Sequence, residues 1–438
     1  ISQALDVFKD DKTGTVDTIS LIKGLDLLYR DGAGTVVAVR VTDGDEAKAT
    51  NTFDGNSGGE ADVLTFDGKY FGTYGNNIGV TITENANTSA NRDIEVTDGQ
   101  TLEVYNNGGA GYATNEAIAT AINATSTLVS VSVKAGSETS NIVDAVTQTF
   151  LATGDDGEDS LVASDYTDAF DNILTNEDFD ILVIPGGDAL EATDAFQATM
   201  VGKMNTRASN EDKFAIFVSG VIKDEAIATI QARTASGQRL SIVAPSVQYT
   251  HRIDGTTITL NGSYLGCSYA GQLASGLPHI SPTHKTLNVE GVLVDSTSGK
   301  QYYNNGEQET LLASGVVPVT RIAGSIQPSR GVTKISDTSS VFFEVNIVRI
   351  VDYVKAQVFE TLSPFVGDPN LQRIRTIMAR SVDGVLEQDQ LDEIIAGYLP
   401  TEVDTGASPD TVVINMTIQP TFAINFINVS LTLSSVSQ

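Results

Sequence analysis

Basic residues are scarce in this chain. Lys and Arg together number 26 against 56 Asp and Glu, a formal net charge of −30 over 438 residues. A field of that sign repels a phosphate backbone and counts against nucleic acid as a partner. Cysteine is nearly absent as well. The single Cys267 excludes an internal disulfide framework, and its surroundings, GSYLGCSYAGQLAS, form a small-residue helical pattern that suits a buried, inert thiol. There are three histidines and no tryptophan. No run approaches the roughly 18 to 20 apolar residues of a membrane-spanning helix, so no direct membrane insertion is expected. Neither a basic n-region nor an apolar h-region follows Ile1, so no secretion signal is read there.

What is present is globular in composition: 41% hydrophobic, 19% charged and 39 glycines. The length predicts two to four domains. An acidic balance keeps an abundant protein soluble before it assembles, and it equally suits a salty habitat.

The first forty residues read as a helix carrying Ile19, Ile22, Leu25 and Leu28, a Gly32/Gly34 stop, and a strand from Val36 to Val41. From 43 to 154 the texture turns to Gly, Asn, Thr and Ser with short alternating strands: VLTFDGKYF, IGVTITE, DIEVT, LEVYN and LVSVSV. One helical piece, NEAIATAINA, interrupts them. After that come continuous apolar strands at Phe179–Ile184, Phe214–Val218 and Leu240–Val243, separated by helices at Ala189–Arg207 and Asp224–Arg233. Strands without alternation between helices predict a parallel sheet covered on both faces. Further expectations are a helix at Tyr264–Ala274, strands at Val316–Ile322 and Val341–Val348, and helices from about Arg349 to Leu362, Leu371 to Ala379 and Asp389 to Tyr398.

Few residues invite a catalytic reading. GNSGG around Ser57 looks like a protease nucleophile loop, but no histidine precedes it, and a glycine-rich surface loop is the better reading. PGGD at Pro185–Asp188 follows a predicted parallel strand, where α/β folds bind ligands. Lacking a GxGxxG or a Walker lysine, it reads as a turn in which Asp188 caps the next helix. His279 and His284 have no Cys or carboxylate nearby to complete a zinc set, and His251 stands apart. GDDGEDS at 154–160 lacks the regular acidic positions of an EF-hand. No catalytic, cofactor or metal site is expected.

The tail VVINMTIQPTFAINFINVSLTL has the sharpest pattern. Val412, Ile414, Met416, Ile418, Phe422, Ile424 and Phe426 occupy even positions; Ile427, Val429, Leu431 and Leu433 occupy odd ones. A one-residue slip turns every side chain to the opposite face, so two strands in two settings are expected.

Six segments in order resemble the tail sheath proteins of contractile tails: myophages, phage-tail-like bacteriocins and related injection systems. They are TVDTISLIKGLDLLYRDGAGTVVAVRV, KYFGTYGNNIGVTI, LATGDDGEDSLVASDYTDAFDNILTNEDFDILVIPG, RLSIVAPS, GSYLGCSYAGQLASGLPHISPTHKTL and VFFEVNIVRIVDYVKAQVFETLSPFVGDPN. In the last of these Asn346, Arg349, Asp352, Tyr353, Phe365, Val366, Pro369 and Asn370 stand at matching positions. Two departures are visible: QPSRGVTKISDTSS replaces an Arg-Thr element, and the family's N-terminal arm is not seen before Ile1.

The resemblance implies a mixed α/β (α+β) chain with a parallel-type sheath core, an inserted β-rich subdomain and an extended C-terminal strand arm. Its parts are 1–42 and 155–424 for the core, 43–154 for the insertion and 425–438 for the arm. It implies a structural subunit with no catalysis, polymerising helically around a tail tube and contracting to drive that tube through a cell envelope. The partners implied are copies of itself, the tail tube protein, and baseplate and tail terminator proteins. The setting implied is a virion tail assembled in the host cytoplasm. Phe426, Ile427, Val429, Leu431 and Leu433 are expected to join a neighbour's sheet. A secreted acidic surface-layer or adhesin-type protein is the alternative that composition alone allows.

Overall fold

The computed structural model describes residues 21–56, 61–157, 160–186, 193–210, 213–250, 255–335 and 337–425. The chain divides into two compact units, one made of 1–15 and 39–175, the other of 16–38 and 176–438. The first described element, helix α1 (Leu21–Arg30), belongs to the second unit.

The first unit is built from two antiparallel sheets. Strands β1 (Lys48–Phe53), β2 (Leu64–Phe71), β3 (Gly79–Glu84), β4 (Arg92–Thr97) and β5 (Leu102–Tyr105) precede helix α2 (Asn115–Thr125). Strands β6 (Val129–Val133) and β7 (Val146–Phe150) and helix α3 (Ala163–Asn172) follow. One sheet runs β1-β2-β6 and the other β5-β4-β3-β7, every pair antiparallel. Alternation supplies the core: Phe66, Val80, Ile82, Ile94, Val96 and Val131 point inward to meet Ile118 and Ile122 of α2. Phe53 and Phe66 meet edge to face at 5.3 Å. Thr114 caps α2 by accepting from the Ala117 amide. The buried Arg92 guanidinium donates to the carbonyls of Val143 and Ser89.

The second unit is the α/β part. Its elements continue as β8 (Ile181–Val183), α4 (Asp194–Asn210), β9 (Ile216–Gly220), α5 (Ile227–Ala232), β10 (Leu240–Ala244), β11 (Ser246–Thr250), β12 (Thr257–Leu260) and α6 (Gly262–Ser275). Then come β13 (Gly291–Leu293), α7 (Asn305–Ala313), β14 (Val316–Ile322) and β15 (Ser325–Pro328). The main sheet has the order β15-β14-β10-β9-β8; β8, β9, β10 and β14 are parallel, and β15 returns antiparallel. Every residue of β9 and β10 is buried, Ser219 and Ser241 included, which explains why neither strand alternates apolar with charged residues. A smaller antiparallel sheet runs β12-β11-β13. Helix α6 packs against α1 and the main sheet. It reaches β9 at Gly220, where an added Cβ would collide with the Gly262 and Ser263 backbone.

The chain then forms two long helices and a hairpin. Helix α8 (Val345–Leu362) and helix α9 (Gln372–Leu391) lead to strands β16 (Ile395–Thr405) and β17 (Val412–Pro420), which pair antiparallel. Ile347, Ile350, Val354, Val358, Val382, Leu386 and Ile395 make their shared core, with Ile414, Met416 and Ile418 laid over it.

Three sequence expectations fail here. Val341–Val348 is not a strand: Val341–Phe343 is a single 3-10 turn and α8 begins at Val345. The run Val345–Ile350 is buried on every side, so it offers no polar face to betray the helical period. The helices expected at 371–379 and 389–398 are instead one helix followed by a strand. Gly384 passes through α9 on a face where an added Cβ would meet nothing. Val36–Val41 carries no strand assignment.

Candidate functional site

Helix α8 presents Asn346, Arg349, Asp352 and Tyr353 at helical spacing. Asp352 meets Arg239, just before β10, in a two-pronged pair. Nη1 donates to Oδ2 at 2.6 Å and Nη2 to Oδ1 at 2.9 Å, while Nη1 also reaches the Ala215 carbonyl. Both side chains are buried. Arg349 donates to the Gly276 and Leu277 carbonyls at the end of α6 and lies over the Phe214 ring. A cation there also complements the negative end of the helix dipole. Burial pulls its guanidinium down to about 10, against the opposing pull of Tyr269 and Asp180, so it stays charged at neutral pH. Asn346 is fully buried, and neither atom of its amide finds a hydrogen-bond partner.

Tyr353 faces the other way, toward α9. The Gln357 amide, oriented with its nitrogen toward α9, accepts from the Tyr353 hydroxyl at 2.8 Å and donates to both oxygens of Asp389 at 2.9 and 3.0 Å. Burial, with Asp392 adding to it, pushes the Asp389 carboxyl up to about 6; the Gln357 hydrogen bond works against this.

Phe365, Val366, Pro369 and Asn370 form the turn between α8 and α9, where Gly367 takes φ +100. Asn370 Nδ2 donates to the Pro409 carbonyl in the β16–β17 turn at 2.8 Å, and its Oδ1 accepts from Arg375 at 2.7 Å. A cavity of about 780 Å³ lies beside this tie, walled by Phe359, Leu362, Phe365, Ile374, Met378 and Ile414. At the other end of the hairpin, Thr421 Oγ1 donates to the Glu393 carbonyl. Asn425 Nδ2 donates to Glu344, which Arg330 also holds at 2.7 Å.

The structure therefore gathers Asn346, Arg349, Asp352, Tyr353, Phe365, Pro369 and Asn370 along one helix and its following turn. Sequence reasoning missed Arg239, Gln357 and Asp389, their partners. Phe426, Ile427, Val429, Leu431 and Leu433 lie outside the described residues, as do Ser57, Asp188 and His251. His279 and His284 sit in the loop after α6. Among the described residues no three His, Cys, Asp or Glu side chains group as metal ligands, and no helix is long and apolar enough to cross a membrane.

Residues 337–434, which include this assembly, match the model of the phage tail sheath C-terminal domain. The fold is similar to that of the sheath tail protein of Desulfitobacterium hafniense, with a TM-score of 0.65 at 17% identity over 94% of this chain and 91% of that one. It is also similar to a sheath tail protein of Listeria innocua, with a TM-score of 0.52 at 19% identity over 85% and 78%. No curated protein matches the chain. The class is thus a mixed α/β protein with the sheath-protein fold. Within that fold, segment 337–434 is similar to the phage tail sheath C-terminal domain.

Two outcomes follow from this geometry. Asp352→Ala leaves Arg239 buried and unpaired, and is expected to cost about 3–5 kcal/mol in chemical unfolding; a loss under 1 kcal/mol would show the pair to be incidental. Asp389 has a native pKa raised above its unfolded value of about 3.9, so native protonation stabilises the fold below about pH 4. That contribution is lost as pH rises through about 6. Asp389→Asn is therefore expected to gain stability relative to wild type as pH climbs from about 4 to 7. Parallel pH profiles for the two proteins would refute it.

Proposed function

We propose that this chain is the structural subunit of a contractile tail sheath in a phage or phage-like particle. Copies stack helically around a tail tube and shorten to drive the tube through a cell envelope. Baseplate and terminator proteins meet the two ends of the array, and assembly takes place in the host cytoplasm. The chain performs no catalysis in this role.

One observation carries the reading. The segment that matches a sheath domain contains a two-stranded ladder, β16–β17, and among the described residues neither strand has a second ladder partner. An open ladder edge accepts an added strand through main-chain hydrogen bonds, with alternate side chains entering pockets. The arm carrying Phe426, Ile427, Val429, Leu431 and Leu433 supplies such a strand to a neighbouring copy. Eight or so backbone bonds at about 0.5–1.5 kcal/mol each and four buried aliphatics at about 1.5–3 each favour that exchange. Ordering the arm, at about 1–2 kcal/mol per residue, cancels much of it. The remainder is small for one contact and large when summed over an array.

Electron microscopy of the purified full chain is expected to show hollow, striated tubes. A chain that stays monomeric over a wide range of concentration and salt would sink the sheath reading. Removal of residues 426–438 is expected to leave folded, soluble monomers, and normal tubes from that truncation would remove the arm from the account. Because each copy carries −30, the concentration needed for assembly is expected to fall as ionic strength rises from about 0.01 to 0.15 M, where the Debye length shortens from about 30 to 8 Å. An assembly threshold indifferent to salt would exclude charge repulsion as a control.

A further inference from the structure

One sheet of the first unit ends at β6 and the other at β5, and the two edges are finished differently. On β6, Lys69 donates to the Leu128 carbonyl and Lys134 to the Val63 carbonyl, so the alternation turns the Val131 backbone away from β2. The Asn123 side chain of α2 covers it. Nδ2 donates to the Val131 carbonyl and Oδ1 accepts from the Val131 amide, both at 2.8 Å. On β5 no side chain does this. Asp98 donates to the Thr101 carbonyl and Arg92 exchanges both bonds with Tyr112, so the even positions of β4 are the ones bonded on that side. Leu102 and Val104 stand opposite Thr97 and Glu95, at odd positions, and turn their amides and carbonyls to the open side. Among the described residues no strand or side chain pairs with them there.

The side chains are open as well, Leu102 being 60% exposed and Val104 51%. The strand that carries them is held in place. In the β4–β5 turn Asp98 Oδ1 accepts from the Gln100 and Thr101 amides, and its other oxygen accepts from the Tyr74 hydroxyl. In mid-strand the Glu103 carboxylate accepts from the Tyr105 and Ser126 hydroxyls and from the Thr127 amide and hydroxyl. A strand already fixed in its extended form loses little entropy when another pairs with it. Lys or Pro along an edge prevents such pairing, and β5 has neither.

Charge decides what fits this edge. Between Lys69 and Lys134 the chain carries six carboxylates and one cation, Arg92. Arg92 is only 1% exposed, and its guanidinium is spent on the Val143 and Ser89 carbonyls. The outer face of the sheet therefore sets Asp93 and Glu95 beside Thr81, Thr83 and Thr97, with Leu102 and Val104 at the rim and no basic side chain. A second copy at −30 is repelled from such a surface, and a basic segment is drawn to it.

We propose that the β5 edge binds one extended segment of a different, basic protein as an added strand. Leu102, Glu103 and Val104 read apolar, acidic, apolar along the edge, so the complement is a strand in which aliphatic residues alternate with Lys or Arg. Its aliphatic side chains cover Leu102 and Val104 on the outer face, and its basic ones flank Glu103 on the other. Main-chain bonds to the free groups of Leu102 and Val104 hold it, and the alternating side chains select it. The site belongs to the first unit and does not rest on the sheath reading.

Fluorescence anisotropy with the full chain and synthetic peptides tests the site. The probe is a dye-labelled heptapeptide alternating Val and Lys, and its counterpart alternates Val and Glu. The Val/Lys peptide is expected to bind about tenfold or more tighter than the Val/Glu one. A strand pairs along one edge, so N-methylation of one alternate set of amides is expected to abolish binding and methylation of the other set to leave it. Leu102→Lys combined with Val104→Lys, both at exposed positions, is expected to keep the thermal midpoint and weaken the Val/Lys peptide about tenfold or more. Equal binding of the Val/Lys and Val/Glu peptides would overturn the proposal. Equal binding of the two methylated forms would do the same, by showing that the peptide rests on the general negative field. Wild-type affinity in the folded double variant would place the peptide elsewhere and overturn it too.

Discussion

The C-terminal helices and hairpin depend on one buried ion pair, Arg239 with Asp352. Helix α8 stands between two cores of the second unit: Val345 at its first turn packs with the main sheet, while Ile347, Ile350, Val354 and Val358 pack with α9 and the hairpin. An apolar interface alone lets a helix slide or rotate, because the hydrophobic effect has no direction. The two-pronged Arg239–Asp352 contact fixes both. Arg349 adds a second fixed point at the end of α6. With α8 anchored at two places, everything downstream inherits its position from the parallel sheet.

Downstream the ties are again polar and few. Tyr353 and Gln357, both half-buried, join α8 to the buried Asp389 of α9, and Asn370 joins their connecting turn to the turn of the hairpin. Between these ties the packing is loose enough to leave a large cavity. Tight cores hold one arrangement. At that space the hairpin turn is held to the α8–α9 turn by the Asn370 side chain, while Ile395, Ile414, Met416 and Ile418 pack the rest of the hairpin on the two helices.

The periodic elements were legible in the sequence. Strand β4 (Arg92–Thr97) buries every second residue, and β9 and β10 bury all of theirs, so each displays its setting directly. Helix α8 misled because its first turns bury polar and apolar residues alike. Strand β16 misled because two register shifts, at Ile395/Gly397 and Leu399/Glu402, break the period of two and leave Ile395 and Tyr398 at a helix-like spacing. Of the site, Asn346 to Asn370 could be named only through a family resemblance. Arg239 lies 113 positions from Asp352, and no local pattern announces such a partner.

The charge distribution bears on the same question from another side. Copies that each carry −30 repel one another, and residues 411–438 contribute nothing to that charge. Among the described residues the outer edges of β16 and β17 have no ladder partner, and an open edge is an aggregation hazard for an isolated chain. Proteins that gain nothing from such an edge cover it, or place Lys or Pro along it. Here β17 carries Asn415, Thr417 and Gln419 on its outward positions, polar enough to stay soluble yet without a charge to turn a partner away.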